Sequence, residues 1–234
     1  MLDALTPEEE EFLEERRRRI RQQQEVALNR LPDDPNQRST RDNRRIFGFY
    51  RQQRFIQPMV WPQCLAPAEA DAIVQQCKDL AWDTSRHSAF ATTDVPLLRE
   101  ACPPLLQHVA PRIRTVVLPR LASHFGFRLE DLAFRDLFIV KYTAEGQSGL
   151  KLHTDGCLFS FNILLNCPTQ FDGGGTFFES TQQVVQPDQG DCVYHDARIQ
   201  HRGVDITRGE RYILVGFVDT ADTIQKDSLL PVRI

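Results

Sequence analysis

Nothing in the 234-residue chain is apolar for long enough to cross a bilayer, so no membrane partner is expected. Basic residues are not in excess: Lys and Arg number 28 against 32 Asp and Glu, for a net charge of −4. That balance argues against general nucleic-acid binding, which needs a basic surface. The six cysteines, Cys64, Cys77, Cys102, Cys157, Cys167 and Cys192, include no C-x-x-C pair. Scattered through otherwise apolar segments, they read as reduced thiols. The opening stretch MLDALTPEEEEFLEERRRR carries no apolar core or small-residue cleavage site. No secretory leader is therefore read in it, and cytoplasmic or nuclear residence is expected, with the Arg16–Arg19 block as a weak import patch.

Apolar residues make up 41% of the chain and charged residues 26%, a composition that builds an ordinary core. Two regions differ in character. Residues 1–45 read as a charged helical extension and linker. Thr6, Pro7 and Glu9 form a helix start, with a threonine cap, proline in the first turn and a capping-box glutamate. The helix is expected to run to about Asn29. Its apolar stripe (Phe12, Leu13, Ile20, Val26, Ala27, Leu28) is too thin for a core helix, which leaves a solvated helix or one that binds a partner. Residues 31–45 are polar and turn-rich and read as a linker. Residues 46–234 read as one domain, with helical support over about 46–131 and a β-rich core over about 132–222. In the first part, a strand is expected at 55–60, a helix at 66–81, and a helical stretch from Pro104 to His124 interrupted at Pro111 and Pro119. In the second, short strands are expected at 137–142, 158–165, 175–179, 183–185, 191–194 and 211–218, separated by turn residues. The fold class expected is mainly β with flanking helices, a sandwich or barrel.

The chemistry concentrates in His153-Thr154-Asp155. On a strand, positions i and i+2 face the same side, so one imidazole and one carboxylate can reach a single ion. Alone the pattern is common and usually marks a hydrogen-bonded pair. His201, in IQHRG, adds a second imidazole. Two histidines and a carboxylate are the facial ligand set of non-haem iron(II), which leaves three coordination positions open. His195 competes with His201 as the third ligand; His201 is preferred for its His-x-Gly setting and for the Arg211 that follows it. Arg211 lies in the buried-looking run RYILVGF, where its guanidinium could take a carboxylate in a bidentate pair or else form a structural ion pair. Between the ligands, FDGGGTFF marks a tight turn before a strand.

From about Phe138 to Asp219 these parts follow one another as Tyr142, LKLHTDGCLFSFNILLN, FDGGGTFF, Gly190-Asp191 and HRGVDITRGERYILVGFVD. Their order and spacing resemble the prolyl 4-hydroxylase and procollagen lysyl hydroxylase family of 2-oxoglutarate-dependent dioxygenases. The segment SFNILLN and the run TRGERYILVGFVD are closest to the lysyl hydroxylases. The stretch between Tyr142 and His153 is longer than in many prolyl hydroxylases. The resemblance implies a double-stranded β-helix (jelly roll, cupin-like) with helices bracing one sheet. It implies Fe(2+) on His153, Asp155 and His201, with 2-oxoglutarate held by Arg211 and flanked by Tyr142, Asn162 and Ser160. It also implies O2 as co-substrate and ascorbate as an auxiliary reductant. His87, Asp94 and His195 are candidate rim residues, and the loops at 84–97 and 143–151 are candidate rim segments. The implied reaction is hydroxylation of a prolyl or lysyl residue of a protein or peptide. Without a leader, collagen itself is not the expected substrate. A small-molecule hydroxylase and a non-catalytic binding module are the rival readings, and the retained carboxylate of Asp155 disfavours halogenation.

Overall fold

A computed structural model describes residues 5–87, 90–98 and 102–229. Its helices come first. Helix α1 (Pro7–Leu28) begins as the sequence indicates, with Thr6 and Glu9 capping reciprocally, and buries only Leu28. Helix α2 (Thr40–Arg54) starts inside the stretch expected to be a linker, with the Ser39 hydroxyl accepting from the Asp42 amide. Two of the polar residues there turn inward rather than to solvent. Asn43 is fully buried and donates to Asp131 at 2.8 Å, and Thr40 donates to the other carboxylate oxygen at 2.6 Å. A composition reading takes such residues as solvated because the acid that receives them lies far along the chain. Phe47, one turn on, stands among Phe125, Phe127 and Phe159. Helix α2 therefore belongs to the body of the domain.

Strand β1 is Met59–Trp61, later than the expected 55–60, because α2 continues to Arg54. Helix α3 spans Pro67–Cys77, and β2 is the short Asp94–Pro96. Helix α4 (Val109–Phe125) follows a separate 3-10 turn at Pro104–Leu106 and runs straight through Pro119. Pro111 falls in its first turn, where the missing amide costs nothing. The loss at Pro119 is offset by the apolar face Ile113, Val117, Leu121 and Phe125, all buried. Gly126 ends the helix at φ 76°, a left-handed position that suits glycine.

The remaining strands are β3 (Leu132–Thr143), β4 (Phe159–Leu164), β5 (Phe171–Gly173), β6 (Thr176–Phe178), β7 (Gln183–Val185), β8 (Cys192–Asp196), β9 (His201–Gly203) and β10 (Ile206–Thr220), followed by helix α5 (Ala221–Ser228). The larger sheet has the order β1-β8-β4-β10-β3-β2, with β5 pairing the start of β10. The smaller has the order β7-β6-β9. All their pairings are antiparallel. Side chains alternate faces along each strand. Leu137, Ile139, Phe159, Ile163, Tyr194 and Leu214 pack in one cluster with α3 and α4. The intervening residues, Phe138, Val140, Tyr142, Ser160, Asn162 and Arg211 among them, line a cavity that Thr176 of β6 and His201 of β9 close from the smaller sheet. Two antiparallel sheets enclosing a polar cavity, with helices on the outer face of the larger one, form the jelly roll expected from the sequence.

Candidate metal centre

His153 and His201 lie directly opposite each other on adjacent chain segments. The His153 amide donates to the His201 carbonyl and the His201 amide to the His153 carbonyl, both at 2.9 Å. Asp155, two residues on, returns its side chain to the same point and anchors its amide on the Ala197 carbonyl at 3.0 Å. The donor atoms of His153, Asp155 and His201 all lie within 4.8 Å of one another. Nε2 of His153 is 3.3 Å from Asp155 Oδ1, and Nε2 of His201 is 3.4 Å from Asp155 Oδ2.

Both imidazoles are oriented from behind. Nδ1 of His153 lies 2.7 Å from the Lys151 carbonyl, and Nδ1 of His201 lies 2.9 Å from the Ile199 carbonyl. A carbonyl only accepts, so each Nδ1 carries a hydrogen and each Nε2 points inward, where the neutral ring offers a lone pair to a cation and the protonated His153 ring would donate to Asp155. Ser160 donates to Asp155 Oδ2 at 2.5 Å. Its hydroxyl thus fixes the carboxylate, although the resemblance placed it beside the co-substrate. Burial opposes the charge on Asp155, but the hydrogen bond from His153, the nearby His201 and Ser160 outweigh it and hold the carboxyl down at about 2. Burial, reinforced by His195, drops His201 to about 3. Burial also disfavours a proton on His153, yet the hydrogen bond to Asp155 prevails and raises its pKa. The two imidazoles therefore move in opposite directions beside one carboxylate. The difference follows from position: burial weighs on both rings, but His153 keeps a hydrogen bond to Asp155, whereas His201 has the His195 ring 4.5 Å away. A carboxylate and a neutral imidazole are the forms that ligate a cation, and three inward donors at one point fit one.

At another part of the cavity, Arg211 is 1% exposed and has no carboxylate partner among the described residues, which leaves Nη2 without any hydrogen bond. Burial lowers its pKa. Leaving a guanidinium buried and unpaired costs several kcal/mol. A structural ion pair is thus ruled out within the described residues, and an anionic ligand remains as the natural partner. The glycine motif makes the space: Gly174 sits at φ +74°, and a Cβ there would come within 3.1 Å of Arg211 Cδ. Tyr142 is buried with its ring 5.5 Å from the Arg211 guanidinium carbon. Asn162, on β4, presents an amide whose oxygen also lacks a partner. The whole cavity holds about 350 Å³.

The candidate rim residues separate. His87 lines the cavity, with Nε2 3.6 Å from Asp94 Oδ2. Asp94 does not reach the cavity surface. It is fully buried beneath it, bonded by Arg86 at 2.8 Å and by Thr92 at 2.5 Å. An acid flanked by threonines reads as exposed until the arginine eight positions back is seen folded onto it. His195 is at no rim either: it is 2% exposed, with Nδ1 2.9 Å from the Asp196 carbonyl. Of the candidate rim loops, Gln147 in 143–151 bonds the Thr93 amide and the Ala91 carbonyl of the other. In the segment 84–97, residues 88 and 89 lie outside the described residues. Sequence reasoning passed over Phe90, whose ring lies 4.7 Å from that of His153, and Arg86, which bonds both Asp94 and Asp136. Neither sits in a spacing that announces it.

No protein-family model matches the chain. It is 35% identical over 112 residues to the multifunctional procollagen lysine hydroxylase and glycosyltransferase LH3 of Rattus norvegicus. It is 37% identical over 112 residues to procollagen-lysine,2-oxoglutarate 5-dioxygenase 2 of Homo sapiens. Each match covers 46% of this chain and 15% of the relative, so the chain spans a small part of the length of these proteins. Among solved structures, the viral collagen prolyl hydroxylase of Paramecium Bursaria Chlorella virus-1, in complex with 2-oxoglutarate, superposes with a TM-score of 0.54 at 17% identity, over 69% of this chain and 94% of that one. A Pseudomonas putida prolyl-4-hydroxylase superposes with a TM-score of 0.55 at 14% identity, over 73% and 95%. At such identities the structural matches speak for the fold. The sequence matches to lysyl hydroxylases agree with that fold and with the converging ligands: in sequence, fold and ligand set the chain is similar to 2-oxoglutarate and Fe(II) oxygenases, among them the procollagen lysyl hydroxylases and prolyl 4-hydroxylases.

Proposed function

We propose that this chain is an Fe(II)- and 2-oxoglutarate-dependent dioxygenase that hydroxylates an unactivated C–H bond of a prolyl or lysyl residue in a protein or peptide. One observation carries the reading: a three-donor metal site and a buried, unpaired guanidinium open onto the same cavity. When bound, iron with 2-oxoglutarate and O2 supplies the oxidative decarboxylation to succinate and CO2 and the hydroxylation of the substrate carbon. His153, Asp155 and His201 would hold the ion with three inward donors. Arg211 takes the far carboxylate of 2-oxoglutarate, and the Tyr142 ring and Asn162 amide bound that end of the cavity. The apolar side chains of Val140, Ile213 and Val215 keep water from the chain of the diacid. The Phe90 ring lies against that of His153 and lines the same cavity.

A Trichoplax adhaerens prolyl hydroxylase solved with a hypoxia inducible factor peptide fragment shares this fold, with a TM-score of 0.57 at 10% identity over 81% of this chain and 96% of that one. A peptide substrate is in keeping with that relative. The cavity volume is also within the range of small-molecule sites, which supports a small-molecule hydroxylase as the second reading. The test incubates the protein with Fe(II), ascorbate, 2-oxoglutarate and libraries of prolyl and lysyl peptides. It follows succinate and a 16 Da gain by mass spectrometry. Hydroxylated peptide is the expected result. Turnover only with free amino acids or metabolites selects the second reading, and no turnover by metal-loaded protein selects a binding module.

A further inference from the structure

The site's orienting carbonyls come largely from one turn, Asp196–Ile199. Within it the Ile199 amide donates to the Asp196 carbonyl at 3.0 Å, and the Arg198 amide donates to Asp196 Oδ1 at 2.9 Å. The turn then sends its carbonyls to the metal centre. Ala197 receives the Asp155 amide at 3.0 Å, Ile199 receives Nδ1 of His201 at 2.9 Å, and Asp196 receives Nδ1 of His195 at 2.9 Å. Two of the three ligands are thus placed by four consecutive residues. From outside, the Ala197 amide donates to the Leu158 carbonyl at 3.2 Å, and, the two imidazoles apart, one side chain among the described residues hydrogen-bonds the turn. Arg51 of α2 grips the Asp196 carboxylate with Nε on Oδ2 at 2.7 Å and Nη2 on Oδ1. Both partners are largely buried, at 12% and 5% side-chain exposure, and the Arg51 guanidinium lies over the Phe47 ring at 5.1 Å. Neither Arg51 nor Asp196 lines the cavity.

We propose that Arg51 is a positioning residue for the metal centre: through Asp196 it fixes the turn that sets the backbone of Asp155 and the ring plane of His201. The inference rests on the metal-site reading above. A planar guanidinium bound at both oxygens holds the carboxylate against rotation. With Asp196 fixed, the Ala197 and Ile199 carbonyls cannot swing, and Nε2 of His201 stays aimed at the point where Asp155 waits. Helix α2 becomes a brace whose far end decides how tightly the ion is held. Loss of such an outer contact typically costs about 10–100-fold in metal affinity.

The test titrates Co(II) into the full-length protein, reading its visible ligand-field absorption, and records thermal unfolding of the metal-free form. Arg51→Met is expected to weaken Co(II) binding by about 10-fold or more. Arg51→Lys, which keeps one charged contact, is expected to recover part of the loss. Arg44→Met is the control. Arg44 ties the same helix to Thr220, Asp222 and Thr223, remote from the turn, so this variant should lower the unfolding temperature while leaving Co(II) affinity within about twofold of wild type. If Arg51→Met does not fold, Asp196→Asn replaces it, since the amide keeps the Arg198 contact but gives up the ion pair. Unchanged affinity in whichever of these variants is measured, or equal losses in the Arg51 and Arg44 variants, overturns the proposal and leaves the metal site standing. Wild-type protein that takes up no Co(II) overturns both.

Discussion

At the residue scale, the site joins side chains whose local chemistry is complete with one whose chemistry is not. His153, Asp155 and His201 already have their outer hydrogen bonds; Arg211 has a free arm. Substitution should separate the two functions. His153→Ala is expected to abolish stoichiometric retention of Fe(II) or Co(II), as followed by metal analysis after gel filtration. Arg211→Ala is expected to leave metal affinity near wild type while raising the KM for 2-oxoglutarate on the order of 100-fold, the scale for truncating one partner of a buried charged pair. A steady-state titration of the co-substrate checks it. These four residues were readable because each announces itself locally: an i,i+2 His-x-Asp spacing, a second imidazole in a glycine context, a lone arginine in an apolar run; the strand expected under the pair is only an isolated bridge at His153. Arg51 and Asp196 were not readable. Each looks like an ordinary surface charge, and only the fold brings them together. The same holds for Asp94, whose threonine-rich surroundings suggest solvent although Arg86 and Thr92 enclose it.

Among the elements, α2 departs most from expectation. Its first turns are polar, yet Asn43 and Thr40 both spend their side chains on Asp131. Asn43→Ala leaves that acid short of a donor in a buried place and should cost about 1–3 kcal/mol in chemical denaturation. Element type was otherwise legible wherever the apolar period was long. The brief strands β2, β5 and β9 escaped because three residues carry no period; β6 and β7, equally brief, were legible only from their aromatic and β-branched residues between turns. Helix α4 adds a pH dependence. His124 packs on Phe55, Phe125 and Tyr194, and burial, with Arg120 nearby, lowers its pKa from 6.5. The unfolded chain takes up a proton near the ordinary value while the native one resists, so below pH 6.5 the unfolded state binds more protons and stability falls with decreasing pH. Denaturation of wild type and His124→Gln between pH 7 and about pH 5 should show a shallower loss in the variant.

For the molecule as a whole, the described residues include no helix long and apolar enough to cross a membrane, and the six cysteines are all unpaired. Stability must come from the packed sheets and helices and from whatever the cavity holds. Mn(II) with 2-oxoglutarate, each at about 100 times its Kd, should raise the unfolding free energy by at least about 2.7 kcal/mol through mass action. EDTA should reverse the rise in thermal melts. Helix α1 lies apart in this respect, since it buries Leu28 alone. Deletion of residues 6–25 is expected to change stability by less than about 1 kcal/mol.

The mutual backbone bonds of His153 and His201 have a consequence for how such a centre can diverge. The jaws of the site are set by two amides and two carbonyls facing each other, so the gap between the imidazoles does not depend on how much chain is strung between them. Insertions at the exposed turn around Gln182, between β6 and β7, could enlarge or reshape the surroundings while the bite on the ion stayed the same. Lineages sharing this frame would then be free to vary what they grasp without retuning how they grasp iron.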